Sequence, residues 1–364
     1  MMRITIAVQP RGYEALIENG LLCHAGALLR EIFPHRKRCF VVTVPVVRRR
    51  WGLALQASLA QRRWETTFVV MRQGERHKSL ATLQALAGKL AEAGADRDAV
   101  LLAFGGGVVG DVAGFLASVY MRGLDIVHIP TTVVAQLDAS IGGKTGVNLR
   151  AGKNLIGTFH QPRLVLIDPQ MLSTLPEREF RSGLYEALKC GVIGSPELFS
   201  HIENRRERIL AREAAELEYV IGESVKLKAA VVSADERETG LRRILNFGHT
   251  IGHALESRTD YRYFLHGEAV AWGMVAAATI AATIKKTDRA TAERIGRATL
   301  ALGALPRVRV NARHVLHSLQ SDKKTKDGIV HFVLPRQIGK VEVVNDVPKA
   351  VVLDAIEQLR VFSR

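Results

Sequence analysis

The sequence predicts an α/β fold in which a Rossmann-like N-terminal domain is followed by a mainly α-helical C-terminal domain. Short apolar runs alternate with helical patterns up to about residue 170, and three consecutive glycines directly follow one of these runs. From residue 176 to residue 300, long helical patterns rich in Glu, Arg, Ala and Leu dominate. We therefore expect two domains, covering residues 1–170 and 171–364.

Six short apolar runs are candidate strands of the first domain. They cover residues 3–8, 38–44, 66–71, 99–104, 125–129 and 164–167. Between them, residues 54–62 and 79–93 carry apolar side chains at helical spacing. This alternation is typical of a largely parallel sheet flanked by helices. In the second domain, strand patterns return only near residues 329–334 and 340–344, before a last helix from Pro348.

The composition is that of a globular protein with an excess of basic residues. Hydrophobic residues make up 47% of the 364 residues, and the formal net charge is +15. The Lys and Arg residues are scattered, and no zinc-finger spacing or RNA-binding aromatic signature accompanies them. We therefore expect an anionic small molecule, rather than nucleic acid, as the partner.

Cysteine content and hydropathy indicate the cellular compartment of the protein. Cys23, Cys39 and Cys190 are odd in number and widely spaced, so they favour a reducing compartment over a disulfide framework. The N-terminus alternates like a strand and lacks the pattern of a signal peptide. The longest uncharged apolar stretch, residues 269–284, is too short for a membrane span and predicts a buried helix. We expect a cytoplasmic protein without a membrane partner.

The three consecutive glycines lie between a candidate strand and a helical pattern. Gly105, Gly106 and Gly107 end the run at residues 99–104 and precede a helical pattern that extends to Tyr120. Glycine lets the backbone approach a ligand closely, and the N-terminus of the next helix attracts phosphate. The GxGxxG dinucleotide fingerprint is absent, so on the glycines alone a tight turn before a packed helix is equally consistent.

A second polar cluster follows the next candidate strand. Lys144 lies in the segment GGKTG, and Lys153 and Asn154 lie in GKNLIG. Ammonium groups beside accessible backbone N–H groups suit a phosphate. A Walker A loop is excluded, because Asp138 occupies the position where its first glycine is required.

Four residues of the helical half have the chemistry of metal ligands. Glu186 is followed by His249 and His253, which are four residues apart, and by His266. Two histidines at this spacing share one face of a helix, although the HExxH signature is absent. One carboxylate and two imidazoles would leave an open coordination position, as catalytic zinc sites require. Spacing favours His249 with His253 but leaves open which two histidines bind.

Several cations accompany these residues and favour an anionic substrate with more than one charged group. They are Lys189, Lys228, Arg242, Lys323 and Lys324. Arg242 lies seven residues before His249, so in a continuous helix both would lie on one face. For Lys323 and Lys324 alone, a solvated surface is the simpler interpretation.

The motifs occur in an order that resembles the 3-dehydroquinate synthase family. The resemblance spans roughly residues 74–335 and rests on GGGVVGDVAGF, YMRG, PTT, DASIGGKTGVN, GKNLIGTFHQP, EALK, LNFGHTIGHA, HGEAV and DKK. It implies a homodimer with a dinucleotide-binding N-terminal domain and a metal-binding C-terminal domain, using NAD and one Zn²⁺ or Co²⁺. The implied reaction, in the shikimate pathway, converts 3-deoxy-D-arabino-heptulosonate 7-phosphate to 3-dehydroquinate and phosphate through transient oxidation, elimination, re-reduction, ring opening and aldol closure.

The resemblance also implies a role for individual residues. The implied metal ligands are Glu186, His249 and His266, and His253 becomes a proton relay. The implied cofactor contacts are Glu75, Lys78, Gly105, Gly106, Gly107, Asp111, Thr131, Thr132, Asp138, Lys144, Lys153 and Thr174. The implied substrate contacts are Lys144, Asn154, Lys189, Lys228, Arg242, Asn246, Lys323 and Lys324, with Arg122 of the partner subunit.

Three positions depart from the pattern of the family. Val44 and Val46 stand where the family usually has Asp and Asn that hydrogen-bond the adenosine ribose, and Tyr185 is larger than expected. Three other classes of protein share part of this pattern: a cyclase whose substrate lacks the carboxylate, a metal-dependent polyol dehydrogenase, and a basic nucleic-acid-binding protein with a degenerate enzyme fold. The combination of Lys228, Arg242 and Asn246 favours the substrate that carries a carboxylate.

Overall fold

The computed structural model describes residues 1–321 and 330–363. The chain divides into two compact units. The first contains Met1–Leu175 and Leu217–Ser233, and the second contains Pro176–Glu216 and Ala234–Arg364. The segment Leu217–Ser233 thus packs with the first unit, although the sequence analysis assigned it to the second domain.

The first unit is built on a seven-stranded sheet, in the order β1-β2-β9-β6-β5-β3-β4. Its strands are β1 Met2–Ile6, β2 Tyr13–Ile17, β3 Arg38–Thr43, β4 Glu65–Val70, β5 Val100–Gly105, β6 Asp125–Pro130 and β9 Leu164–Ile167. Only β1 and β2 pair antiparallel, so the predicted Rossmann-like parallel core is confirmed. β2 is not among the predicted strands, because it is short and carries a charged residue.

Helices cover both faces of this sheet. They are α1 Ala25–Ile32, α2 Pro45–Gln61, α3 Leu80–Glu92, α4 Gly107–Val119 and most of α7 Ala214–Ala234. Alternate residues of β3 belong to two different apolar clusters, Cys39 and Val41 to one and Phe40 and Val42 to the other. Because successive strand residues point to opposite faces, both faces of the sheet are buried.

The second unit is mainly helical, as predicted. Its helices are α5 Glu177–Gly194, α6 Pro196–Leu210, α8 His249–Arg258, α9 His266–Thr283, α10 Arg289–Ala301, α11 Ala312–Ser321 and α12 Lys349–Phe362. One hairpin, of β10 Phe332–Gln337 and β11 Lys340–Val344, accompanies them. The apolar stretch 269–284 lies almost entirely in α9, which is buried over most of its length. Within the described residues, no helix is long and apolar enough to cross a membrane.

The strand order of the sheet reverses between β3 and β5. From β3 the chain continues to β4 on one side, and β5 then pairs with β3 on the other side. Open parallel sheets bind ligands where the strand order reverses in this way. The ends of β3 and β5, at Thr43 and Gly105, mark this position.

His128 of β6 is expected to make the protein less stable as the pH falls from about 6.5 to about 4. Its side chain is buried, and burial, assisted by the charge of His160, lowers its pKa from 6.5 to about 4. Between these values the unfolded chain binds a proton that the folded chain excludes, so stability rises with pH across this window, by about 3 kcal/mol. Urea unfolding at pH 7 and at pH 4 should show a smaller pH effect in His128→Gln. The exposed His35 provides the control, since His35→Gln should behave as wild type.

Candidate active site

The glycine turn lies at the carboxyl edge of the sheet, where the strand order reverses. Gly105 ends β5, and Gly107 is the first residue of α4. Thr131 follows the adjacent strand β6, and its N–H donates to the carbonyl oxygen of Gly105 at 3.0 Å. A Cβ on Gly106 would lie 3.1 Å from Cγ2 of Thr132. Bare backbone and the N-terminus of a helix therefore meet here, as a pyrophosphate requires.

A buried lysine connects two of the predicted contact segments. Lys78, which is 4% exposed, forms an ion pair with Asp111 of α4 and donates to Oδ1 of Asn154. Burial raises the pKa of Asp111, and Lys78 opposes that shift. Asn148 donates to Oε1 of Glu75 at 2.8 Å. These bonds bring three predicted cofactor residues and one predicted substrate residue together.

The segments predicted as phosphate loops form a hairpin in the structure. Its strands are β7 Lys144–Leu149 and β8 Gly152–Phe159. Lys144 begins β7 and Lys153 lies at the start of β8, while Asn154 has a φ of 55°, in the left-handed region. A non-glycine residue in that region is held there by its surroundings and is a common feature of functional sites.

Two other predicted residues of the first unit, Lys228 and Thr174, have defined contacts, and a third, Arg122, is exposed. Lys228 of α7 lies with Nζ 2.6 Å from both the carbonyl oxygen and Oδ1 of Asp138. Thr174 accepts a hydrogen bond from Nε1 of Trp51 at 3.0 Å. Arg122 is exposed and has a φ of 68°, directly after Met121 with a φ of 48°. A substrate carboxylate at Lys228 would therefore compete with Asp138.

Glu186 and two histidines converge in the second unit. Nε2 of His266 lies 3.2 Å and Nε2 of His249 lies 3.7 Å from Oε1 of Glu186, which is completely buried. One ligand atom of each residue lies within 4.8 Å of the others. Nζ of Lys189 lies 2.5 Å from Oε2 of the same carboxylate, so Glu186 faces a cation as well as two imidazoles. A buried carboxylate with two imidazoles is a donor set that fits Zn²⁺ or Co²⁺.

The protonation states of these residues favour binding of a metal cation. Burial alone would raise the pKa of Glu186, but Lys189, His249 and His266 hold it well below its usual range. Burial and the charge of Lys189 lower the pKa of His249 well below its usual value. Burial opposes protonation of His266 as well, but hydrogen bonds to Glu186 and Glu256 raise its pKa to about 10. The carboxylate and one neutral imidazole are therefore already in the states that bind metal.

His253 lies beside this cluster. Its ring centroid is 5.2 Å from that of His249 and 5.9 Å from that of His266. Among the described residues, Glu186 groups with His249 and His266, whereas His253 groups with Glu256 and His266. Glu256 is not among the residues predicted from the sequence. Its position three residues after His253, on the same helix face, was the available signal.

The segment before α8 is not one continuous helix, so the condition under which Arg242 and His249 would share one helix face is not met. A short 3₁₀ helix covers Leu241–Asn246, and Phe247 is its C-terminal cap. Gly248 then has a φ of 78°. Arg242 is buried and its guanidinium donates to the carbonyl oxygen of Glu236. The predicted residues Lys323 and Lys324 lie outside the described residues.

Asn246 of the same segment has one defined partner. Its Nδ2 donates to Oε1 of Glu238 at 2.8 Å. Glu238 has a φ of 60°, in the left-handed region. Both residues therefore belong to one constrained loop that leads into α8.

Solved structures share this fold over almost the whole chain. A 2-epi-5-epi-valiolone synthase from Streptomyces hygroscopicus, with NAD⁺ and Zn²⁺ bound, is 31% identical, covers 97% of this chain and 98% of its own, and has a TM-score of 0.86. A 2-deoxy-scyllo-inosose synthase, complexed with carbaglucose-6-phosphate, NAD⁺ and Co²⁺, is 25% identical, covers 98% and 99%, and has a TM-score of 0.86. Fold and site together define a member of the sugar-phosphate cyclase class.

Sequence comparisons narrow this class to one family. The profiles of the 3-dehydroquinate synthase N-terminal and C-terminal domains match residues 68–182 and 183–325. A 3-dehydroquinate synthase of Koribacter versatilis is 54% identical over 363 residues, covering 100% of this chain and 99% of the relative. One of Solibacter usitatus is 46% identical over 347 residues, covering 95% and 96%. The chain belongs to the 3-dehydroquinate synthase family.

Proposed function

We propose that the protein converts 3-deoxy-D-arabino-heptulosonate 7-phosphate to 3-dehydroquinate and phosphate, a step of the shikimate pathway. The observation that carries this proposal is the convergence of Glu186, His249 and His266 in a chain of this family. Bound NAD supplies a transient acceptor for a substrate hydride, and one bound Zn²⁺ or Co²⁺ polarises a substrate hydroxyl and lowers its pKa. The substrate is oxidised, loses phosphate, is reduced again, opens its ring and closes a carbocycle by an aldol step.

In this proposal the second unit holds the metal and moves a proton. Glu186, His249 and His266 are the ligands. The ammonium group of Lys189, buried beside Glu186, stabilises negative charge that develops on a substrate oxygen. The ring of His253, 5.2 Å from that of His249, accepts and returns a proton at the substrate.

The remaining predicted residues bind the cofactor and the two anionic groups of the substrate. The glycine turn and Lys78 receive the pyrophosphate, because backbone N–H groups and the α4 dipole converge there. Lys144 and Asn154 bind the substrate phosphate. Lys228 and Arg242 bind the carboxylate, for which their charges are suited. The other predicted cofactor and substrate residues are Glu75, Asp111, Thr131, Thr132, Asp138, Lys153, Thr174, Asn246, Lys323 and Lys324.

Phosphate release from the heptulosonate phosphate tests this proposal. The protein is first treated with a chelator, and turnover should then require both catalytic NAD and added Zn²⁺ or Co²⁺. His249→Ala should be inactive, whereas His35→Ala, which removes an exposed loop histidine, should be unaffected. A folded, metal-loaded protein that releases no phosphate would contradict the proposal, and activity only on heptulose phosphates without a carboxylate would favour the other cyclases.

Asp235→Asn is expected to weaken substrate binding by misplacing Arg242. The carboxylate of Asp235 accepts hydrogen bonds from the N–H groups of Thr239, Gly240 and Arg242 at 2.8, 2.8 and 2.9 Å. These bonds hold its pKa well below the usual range. An amide NH₂ group would face N–H donors, so we expect KM to rise roughly 10-fold while kcat changes less. In Asp288→Asn, which alters the cap of α10 instead, an unchanged KM is expected; equal KM values in both variants would refute the role of Asp235.

The proposal includes a homodimer, in which Arg122 of the partner subunit binds the substrate phosphate. Apolar residues that are each at least 40% exposed support it: Val119, Met121, Leu149, Leu155 and Phe159. They lie in neighbouring elements, because Val119 and Met121 are at the end of α4 and the β7–β8 hairpin packs against α4, where a Cβ on Gly114 would lie 2.4 Å from Thr145. Sedimentation should show a dimer that Leu155→Glu dissociates and that Leu53→Glu, on the exposed face of α2, leaves intact. A wild-type monomer would contradict this arrangement.

A cytoplasmic location completes the proposal. Cys23, Cys39 and Cys190 are not joined in disulfides, which suits a reducing compartment. Burial raises the pKa of Cys39 to about 11, so this thiol remains protonated and unreactive at neutral pH. Cell fractionation should recover the protein with cytoplasmic markers.

A further inference from the structure

The ring of His266 has a carboxylate at each of its nitrogens. Nε2 lies 3.2 Å from Oε1 of Glu186, and Nδ1 lies 3.4 Å from Oε2 of Glu256. Glu256 is 3% exposed. A carboxylate ion only accepts hydrogen bonds, so Nδ1–H donates to Glu256. That bond leaves Nε2, which faces Glu186, as the nitrogen available to a metal.

The other histidine of the cluster is held in the same way. Nδ1 of His249 lies 3.1 Å from the carbonyl oxygen of Phe247, which also only accepts. Its Nε2 therefore faces Glu186 as well, at 3.7 Å. Both imidazoles thus present Nε2 to the same carboxylate, and both are oriented by an oxygen at Nδ1.

The close packing of α8 against α9 keeps Glu256 at this position. Glu256 lies seven residues after His249 on α8, and His266 is the first residue of α9. A Cβ on Gly252 would lie 2.9 Å from the carbonyl oxygen of Ala269, so these helices have little room to move apart. The carboxylate therefore has a fixed position relative to the His266 ring.

We infer that Glu256 is a positioning residue of the metal centre, fixing the tautomer and the ring orientation of His266 and increasing the basicity of Nε2. Ligand histidines are commonly held by such a carboxylate, and its removal weakens metal binding. The inference rests on the proposed function, because it requires His266 to be a metal ligand. Glu256 differs from Glu268, which pairs with Arg178 and caps the start of α9.

Zinc affinity, measured by competition with a chromogenic chelator, tests this inference without a substrate. Glu256→Ala is expected to raise the Kd for zinc about 10- to 100-fold. Glu256→Gln keeps an acceptor oxygen without the charge, so it should recover part of the affinity. The matched control is Glu216→Gln, because Glu216 is another buried carboxylate of the second unit and bonds His201 at 2.6 Å. This control should leave the Kd unchanged.

Further readouts separate the possible outcomes. In the cobalt-loaded protein, the visible spectrum should change in Glu256→Ala and not in Glu216→Gln. An unchanged zinc Kd in Glu256→Ala overturns the inference. A second result also overturns the inference: the wild-type chain binds two zinc ions and Glu256→Ala binds only one. Glu256 would then be a metal ligand together with His253. If Glu256→Ala fails to fold, Glu256→Gln carries the test, and an unchanged Kd overturns the inference. A wild-type protein that binds zinc without turnover contradicts the proposed function alone.

Discussion

Replacing Glu186 with glutamine is expected to lower kcat/KM for phosphate release by on the order of 10³-fold or more. The carboxylate is completely buried on α5, and Lys189, His249 and His266 surround it. Glutamine has nearly the same shape but no charge, so the site would hold a buried ammonium group beside a neutral amide. Both metal affinity and the balance of charge at the reacting atoms would be lost.

Two measurements distinguish this loss from a general folding defect. Zinc content after dialysis should fall to near zero in Glu186→Gln, while the far-UV circular dichroism should match that of the wild type. Glu179→Gln removes an exposed carboxylate from the same helix and should retain zinc and turnover. Full activity in Glu186→Gln would show that the metal binds elsewhere or is not needed.

The second large effect is expected at the contact between α8 and α9. A Cβ on Gly273 would lie 1.8 Å from the carbonyl oxygen of Gly248, which neither helix can avoid without moving. Gly273→Ala should therefore lower the free energy of unfolding by about 3 kcal/mol. It should also weaken zinc binding, because His249 and His266 begin these two helices.

Urea unfolding and zinc competition on the same samples check this prediction. Gly296 is the matched control, because it lies in α10 and a Cβ there would meet nothing within 4 Å. Gly296→Ala should be neutral or more stable by about 1 kcal/mol, since alanine has the higher helix propensity. Equal free energies of unfolding in Gly273→Ala and Gly296→Ala would contradict the prediction. They would mean that α8 and α9 can move apart without loss of stability.

The sequence predicted those parts of the protein that depend on local pattern. The strand before Gly105 and the helix after it follow from an apolar run, three glycines and a helical repeat, and the structure confirms both elements. The grouping of Glu186 with two distant histidines could not be derived from spacing. Spacing describes neighbours on one helix, whereas these ligands come from α5, α8 and α9. Only the resemblance to a family selected His266 over His253 as the second histidine ligand.

The hairpin of β7 and β8 was not predictable for a different reason. Its glycines suggest flexible loops, but Gly146 and Gly157 face each other across the two strands. A Cβ on Gly157 would lie 1.9 Å from the carbonyl oxygen of Thr145. These glycines therefore allow the two strands to pack closely. Local sequence pattern does not show this requirement, because it depends on the opposite strand.

The helix α7 has a consequence for synthesis on the ribosome. Leu217–Ser233 belongs to the first unit, where Ser233 Oγ accepts from the N–H of Ala7 at 3.0 Å and Glu218 accepts from the N–H of Asn19 at 2.8 Å. The first unit is therefore complete only after residues 176–216 of the other unit have been translated. In a nascent chain that ends at Leu175, the N-terminal hairpin of β1 and β2 is therefore only partly covered. Dividing the gene at a single position cannot produce two separate units that are each complete.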